Sequence, residues 1–571
     1  MSNVVAVTSP IEAAPIPAQQ KSFLAHAKLI GLLTLGSRLL GLAREIVAAH
    51  YLGTGLVASA FTVAFTIPNL FRKLFGEGAL SAAFIPLYSQ AIKHEHHSRA
   101  NDFAAASVNL LCAILLAITI VGEVIIWAFL LFGSELYPDL VLTLKLTAIM
   151  LPYVLLICGG AFLSGILQVH HRFAAPAAAP IILNICHIVV LGLGGYILHL
   201  GRSMEEADAI GPQTKLAYAA ASVVLVAGVM QVMVLLPGLR ATGFAFKLVP
   251  HFWTPQVKRM LKLTVPVAIG AGVLQLSVLL DKGIALALMQ RVDVLGHQIT
   301  HFTIWDHVIR LPMESGAPRR LDVAQFLYQF PLGVFAIALA TAIFPGLSAD
   351  ALDKDRDKFK RVLRQGIEAT IWEGLPASLG LILVRDPAIR LLFQHGQISA
   401  HDADLIGQSV LFYAGAIWAF SMLQIINRAY YAIHDTFTPV IMSVINIALN
   451  LIVELPLLWW MGEPAMAVGT LVSFAVQAVV MLWMLDHRVG GLNLKRLATP
   501  TLKMLLATAV MGVALVALEH SPLYPVGNSR MTWLIQLTLL LLTGATTYLF
   551  ACWLLRVDIV HHFLPRRRVR A

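Results

Sequence analysis

Fourteen stretches of this 571-residue chain are apolar over about twenty residues or more, and that succession leaves few folds open to it. A helix of about 20 apolar residues crosses the roughly 30 Å hydrocarbon core of a bilayer. Lipid offers no hydrogen bonds, so a spanning segment must satisfy its own backbone, and a helix does so. The stretches cover about 23–50, 56–92, 103–133, 140–168, 176–200, 214–237, 257–289, 321–349, 362–384, 403–427, 437–461, 464–485, 497–518 and 531–555. They predict an all-α polytopic membrane protein with about 14 transmembrane helices. A hydrophobic fraction of 58%, a charged fraction of 13% and a mean hydropathy of +0.78 exclude a soluble domain of this length.

The first 22 residues, rich in Ala and Pro, carry no basic segment followed by an apolar core and a small-residue cleavage site. They read as a short disordered tail rather than a removable signal peptide. The four cysteines, Cys112, Cys158, Cys186 and Cys552, stand singly in apolar segments, which indicates neither a zinc site nor a disulfide framework. The net charge of +10 is spread over many loops, so it argues for membrane topology and against a nucleic-acid partner. Loops after the even-numbered spans hold the basic residues, among them Lys93, Arg99, Arg172, Arg240, Lys258, Arg356, Lys360, Arg428 and Arg488. The loops after spans 1, 3 and 11 hold none, and Arg566, Arg567, Arg568 and Arg570 close the chain. Positive charge stays inside, so both termini are expected in the cytoplasm. The segment Gln290 to Arg320 is a longer outside loop that carries Arg291, Arg310, Arg319 and Arg320 against that trend.

A weak internal repeat adds organisation. AAFIPLYSQ, ending span 2, resembles TAIFPGLSA, ending span 8; RFAAPAAAPIILNI, entering span 5, resembles HDTFTPVIMSVINI, entering span 11. An offset of six spans predicts two pseudo-symmetric six-helix lobes, 23–240 and 241–489, with two further helices in 490–556 and a basic cytoplasmic tail in 557–571. Parallel repeats of this kind place a binding site at the lobe interface and work by rocking one lobe against the other.

The chemistry concentrates in Ser37 to Pro86, where Arg38, Arg44, Glu45, Arg72, Lys73 and Glu77 interrupt two spanning segments. An ionisable side chain at membrane depth costs a few kcal/mol, about 2.5–3.5 for Arg on insertion scales, and so faces a partner or a watery cavity. Arg38 and Arg72 each lie about sixteen residues into their spans, roughly 24 Å, which puts both near the bilayer middle. Three arginines around one cavity suit an anion, because the guanidinium fork matches phosphate oxygens. The alternative is internal pairing, for example with Glu45. Arg38 and Arg44 lie about 120° apart on an ideal helix, so sharing a cavity requires a wide cavity or a bend at Gly36 and Gly41. Pro68, Gly76 and Gly78 predict a break in span 2 around RKLFGEG.

Asp281, Asn446, Asn450 and Glu454 form a second polar set in spans 7 and 11, the last three recurring every four residues. Such oxygens suit a Na⁺ or proton site that would drive transport; the alternative is an Asp281–Lys282 ion pair with interhelical Asn hydrogen bonds. No bound cofactor is expected, and coupling to Na⁺, H⁺ or the membrane potential is left open. Glu123 and Glu373 are lone carboxylates, the HEHH run at His94 to His97 is a solvated turn, and Asp402 with Asp404 only mimics a sugar-nucleotide motif.

SRLLGLARE, AFTIPNLFRKLFGEGALSAAFIPLYS, YVLLICGGAFLSGILQVHHRFAAPAAAPIILNI and FPLGVFAIALATAIFPGLS together resemble the MurJ (MviN) lipid II flippases. These belong to the multidrug/oligosaccharidyl-lipid/polysaccharide exporter superfamily. The resemblance covers about spans 1 to 12. It implies two lobes around a cationic cavity and transfer of an undecaprenyl-pyrophosphate-linked peptidoglycan precursor across the bacterial inner membrane. The family's cavity residues fall by motif on Ser37, Arg38, Arg44, Asn69, Arg72 and Glu77. Two positions depart from it. Ser59 stands where the family has an acidic residue, and Phe326 stands where it has a cavity arginine.

The expected partners are lipid II, or a similar polyprenyl-pyrophosphate-linked glycan, and membrane lipids. Arg310, Arg319 and Arg320 of the long loop are the candidates to replace the missing arginine. Two other readings remain at this stage: an exporter of another lipid-linked oligosaccharide, and a membrane glycosyltransferase using Asp306 and Glu314 at the outer face.

Overall fold

The computed structural model describes residues 18–74, 80–94, 97–133, 137–200, 206–247, 252–292, 297–305, 307–334, 339–340, 343, 347 and 356–559. Glu77, the start of the N-terminal tail, the Arg-rich C-terminus and most of TAIFPGLSA lie outside the described residues. In chain order come α1 (Ala18–Leu52), α2 (Leu56–Phe71), α3 (Leu80–His94), α4 (His97–Phe132), α5 (Pro138–Met150) and α6 (Tyr153–Val169). Then follow α7 (Ala174–Ile197), α8 (Glu206–Arg240), α9 (Pro255–Leu288) and four short strands, β1 (Arg291–Val292), β2 (Gln298–Ile299), β3 (His301–Ile304) and β4 (His307–Arg310). The rest is α10 (Ala317–Val334), α11 (Arg356–Leu392), α12 (Ala400–Gly415), α13 (Ile417–Ala432), α14 (Phe437–Met461), α15 (Pro464–Arg488), α16 (Leu494–Glu519) and α17 (Arg530–Leu554).

Where their residues are described, the fourteen expected spans fall on this helical framework, the eighth as α10 up to Val334. Among the described residues eight helices, α4, α7, α8, α11 and α14 to α17, are long and apolar enough to cross a membrane. Two bent pairs, α5 with α6 and α12 with α13, bring that number to ten. The remaining four expected spans correspond to α1, to α2 with α3, to α9 and to α10, which carry the buried charges. Lipid is the solvent that the outer faces require: on α4, Val121, Val124, Leu131 and Phe132 are each more than half exposed.

The repeat is visible in the backbone. The α5–α6 and α12–α13 pairs, six spans apart, both bend by 41°. Each pair ends in a left-handed histidine, His171 with φ 58° and His434 with φ 62°. There the next amide reaches back over the last turn, Arg172 N to Leu167 O and Asp435 N to Tyr430 O, both 2.9 Å. These turns lead into α7 and α14, the two helices whose sequences resemble each other. Packing follows the same division. Helices α1 to α8 build two apolar clusters, α10 to α15 build most of two others, and α9 touches α2, α3 and α4 on one side and α10 and α14 on the other. Helices α16 and α17 pack on each other and on α11.

Two expectations need correction. The all-α reading leaves out the strands of the outside loop: β1 pairs with β2 and β3 with β4 as antiparallel hairpins, and Gln290 N donates to Met313 O at 2.8 Å across the loop's base. Local strand pairing satisfies backbone groups that a long coil would leave to water. Arg319 and Arg320 do not belong to that loop. They sit in the first turn of α10, which starts four residues before the expected span.

Arg320 shows what holds this end of the molecule. Its Nε donates to both carboxylate oxygens of Glu463 at 3.0 Å, Nη2 donates to the same carboxylate at 2.8 Å, and Nη1 reaches Asp402 at 3.2 Å and Ser315 O at 2.8 Å. Asp402 also caps α12 and accepts from Thr54 Oγ1 at 2.7 Å. Asp404 pairs with Arg390 at 2.9 Å, so both aspartates of the apparent sugar-nucleotide motif serve as structural ties. Removing one partner of a buried ion pair costs about 3–5 kcal/mol, because the other charge stays behind. Glu463→Ala should therefore lower stability by about that amount in thermal unfolding of the purified protein in detergent, well beyond the effect of an Asp404→Ala control on an exposed pair.

Candidate substrate cavity

The cavity lies where the charged helices meet. Its volume is about 750 Å³, and its wall is drawn from α1, α2, α6, α7, α8, α9 and α10. Ser37, Arg38, Arg44, Asn69 and Arg72 all line it, as the sequence motifs require. Helix α1 runs for 35 residues without interruption at Gly36 or Gly41, and both of its arginines reach the cavity. Helix α2 runs through Pro68 to Phe71, and Arg72 to Leu74 continue it as a wider π turn that carries Arg72; Gly76 and Gly78, where the sequence predicts the break, lie outside the described residues.

Among the described lining residues, six basic side chains, Arg38, Arg44, Arg72, Lys73, Lys282 and Arg319, stand with two carboxylates, Glu45 and Asp322, a formal excess of four positive charges. The carboxylates are shared. Glu45 accepts from Arg44 Nη2 at 2.6 Å and from Arg319 Nη1 at 2.9 Å. Asp322 accepts from Arg319 Nη1 at 3.3 Å and from Lys282 Nζ at 2.5 Å. The chain Arg44–Glu45–Arg319–Asp322–Lys282 thus ties α1 to α10 and α10 to α9. Pairing is the condition on which such charges stay buried, and Coulomb attraction is strong where water is scarce. The sharing leaves donors over: Arg319 Nη2 is buried with no hydrogen-bond partner. Arg44 also lies over the Phe65 ring, 5.8 Å from its centre. Arg38 rests its guanidinium against α10 at Gly333, where a β-carbon would collide with it.

Beyond Glu45 the end of α1 is clamped to the α11–α12 turn. His50 Nδ1 lies 3.0 Å from His395 Nδ1, and Gln397 N donates to His50 O at 3.1 Å. The fit is close enough that Gly396 is needed: its φ is +65°, and a side chain there would strike the His50 carbonyl. The Thr54 hydroxyl, which donates to Asp402, adds a further tie at this end of α1.

Of the two departures, Phe326 does line the cavity and Ser59 does not. The Ser59 hydroxyl donates to Thr54 O at 3.2 Å within the α1–α2 turn. Sequence reasoning missed Asp322 and the cavity role of Lys282, and it offered Arg319 only alongside Arg310 and Arg320 as a replacement for the missing arginine; of those three, Arg319 lines the cavity. A signal existed: Arg319 precedes Phe326 by seven residues, two helical turns, which places both on one face of α10.

In the second polar set, Asn450 Nδ2 donates to Asp281 at 3.3 Å and to Glu454 at 3.0 Å, joining α9 to α14. Asn446, Asn450 and Glu454 are all buried, as their four-residue spacing implies. Lys282 turns away to Asp322, which corrects the alternative of an Asp281–Lys282 pair. Among the described residues no group of three or more His, Cys, Asp or Glu side chains is placed to hold a metal. Glu314 pairs with His401 at 2.9 Å, and Asp306 lies outside the described residues.

Comparison with known proteins agrees with this architecture. A solved structure described as lipid II flippase MurJ in an inward closed conformation superposes with a TM-score of 0.70 at 21% identity, over 93% of this chain and 99% of that one. An inward-facing multidrug resistance MATE family transporter of the MOP superfamily gives 0.60 at 14% identity, over 80% and 95%. By sequence, a probable lipid II flippase MurJ of Rhizobium tropici is 32% identical over 94% of this chain and 96% of its own length. The profile described as "Lipid II flippase MurJ" matches residues 48–535, more than four-fifths of the sequence, and the chain therefore belongs to the MurJ family of multi-pass membrane proteins.

Proposed function

We propose that this protein is a lipid II flippase, which carries an undecaprenyl-pyrophosphate-linked peptidoglycan precursor from the cytoplasmic to the periplasmic leaflet of a bacterial inner membrane. The observation that carries the reading is the excess of cationic side chains around a cavity between the two helix bundles. A pyrophosphate satisfies that excess, and the cavity volume falls within the range of ligand clefts, about 300–1,000 Å³. The isoprenyl chain stays in lipid. No bond is made or broken.

With both termini in the cytoplasm, the Leu52 end of α1 faces the periplasm, as do the start of α10 and the α11–α12 turn. The contacts His50–His395 and Thr54–Asp402 then close the periplasmic side. The ion-pair chain through Glu45 and Asp322 lies next to them and joins the same helices. An incoming pyrophosphate competes with Glu45 for Arg44 and Arg319. As it takes them over, the α1–α10 tie weakens and the periplasmic side is free to part. A ligand shifts such an equilibrium only by its differential affinity for the two states, and this competition supplies the difference.

Asp281, Asn450 and Glu454 support a coupling-cation site. The oxygens Asn450 Oδ1 and Glu454 Oε1 are buried without partners beside Asp281, a set of hard donors suited to Na⁺ or to a shared proton. Binding there would draw α9 and α14 together and so bias the second bundle.

Three outcomes follow. Arg38→Ala and Arg72→Ala should each fail to rescue a cell depleted of its own lipid II flippase while reaching wild-type levels in the membrane; rescue by both would remove the anion site. Glu45→Gln should raise the labelling of a cysteine placed at Thr54 by a membrane-impermeant maleimide, because the α1–α10 tie is weakened. Asp281→Asn and Glu454→Gln should slow transport in vesicles and abolish its response to replacing Na⁺ by choline or to an imposed pH gradient, while lipid II binding persists.

A further inference from the structure

The cavity face of α10 changes character along its length. At 100° per residue, positions 319, 322, 326, 329 and 333 share one side of the helix, with 325 beside them. The charges stop at Asp322. Over the next two turns, roughly 10 Å, the wall consists of Gln325, Phe326 and Gln329, and beyond them the Arg38 guanidinium rests against Gly333. Gln275 of α9 lines the same part of the cavity.

This neutral stretch is held in place. Gln325 donates its Nε2 to the Tyr413 hydroxyl at 3.1 Å, and Tyr413 is buried and stacked on Tyr328 with ring centres 5.1 Å apart. The amide nitrogen is thereby anchored and the Gln325 carbonyl oxygen is left as an acceptor. Asn184 of α7, also in the cavity wall, is tied in the same way: Nδ2 donates to Ser37 O at 3.1 Å, which leaves Oδ1 as an acceptor. Oriented acceptors suit a ligand rich in donors, such as sugar hydroxyls and an N-acetyl N–H. Phe326 adds a flat apolar face to a cavity whose other main feature is charge. A pyranose ring, with C–H groups on its faces and hydroxyls at its edge, matches a wall of that composition.

We propose that Gln325, Phe326 and Gln329 form a saccharide subsite that binds the neutral, hydroxyl- and amide-bearing part of the headgroup, while the arginines of the first bundle hold the pyrophosphate. The proposal rests on the lipid-linked-glycan reading above and deepens it. Phe326 is a specificity residue in this view, and the second-bundle cations described at the cavity are Lys282 and Arg319, the latter two turns toward the periplasmic end.

The test uses the purified full-length protein in lipid nanodiscs and two probes, undecaprenyl pyrophosphate, which lacks a glycan, and lipid II. Phe326→Leu should weaken lipid II binding about tenfold and leave undecaprenyl pyrophosphate within about twofold. Phe326→Tyr, which keeps the ring, should restore most of the lipid II binding that Phe326→Leu loses, and Asp404→Ala, on an exposed ion pair outside the cavity wall, serves as the folding control. Phe326→Arg should tighten undecaprenyl pyrophosphate and erase the preference for lipid II, whereas Arg72→Ala should weaken both. Equal losses for the two probes in Phe326→Leu, or no loss for either, overturns the subsite. A wild-type protein that binds the two lipids equally also overturns it and leaves the anion site standing. A wild-type protein that binds neither overturns the flippase reading and the subsite together.

Discussion

A carboxylate shared between two guanidinium groups, one on each helix bundle, is the interaction on which this cavity depends. Glu45 on α1 holds Arg44 beside it and Arg319 across the cavity on α10. Without Glu45 the two arginines would face each other as like charges in a place poor in water. With it, they stay charged and still outnumber the carboxylates, so the site retains an appetite for an anion. The same pairing makes the closure reversible: an ion pair that a ligand can replace is a lock whose key is the ligand's own charge.

The helices that carry these charges are least like membrane helices. Eight described helices are apolar enough to span alone, and α1, α2, α9 and α10 are not among them. They are the helices at the bundle interface. Lipid faces the others, so lipid selects their composition. The interface helices face a cavity lined by polar and paired charged side chains, which permits Arg, Lys, Asp and Gln at membrane depth.

Duplication explains much of the rest. Two spans bent by the same 41° angle, each closed by a left-handed histidine, stand six spans apart and feed the two helices whose sequences match. The halves have then diverged in chemistry. In the first, α7 sets Asn184 in the cavity wall; in the second, α14 buries Asn446, Asn450 and Glu454 against α9.

Much of this was legible in the sequence, because the bilayer imposes a length and an apolar composition that single segments must meet on their own. The helix count, the inward set Asn446, Asn450 and Glu454, and the cavity positions of Arg38, Arg44 and Arg72 all follow from local pattern or motif. The pairing of charges does not. Arg319 and Glu45 are 274 residues apart, and Lys282 chooses Asp322 over its neighbour Asp281 because the crossing of α9 and α10 brings that carboxylate to 2.5 Å. Nor does the start of α10 follow, since a helix that opens with charged residues gives hydropathy no edge to find; burial against Glu45 and Glu463 is what makes Arg319 and Arg320 part of it. Periodicity within a segment is a one-dimensional property, whereas the partner of a buried charge is decided by which helix happens to cross it.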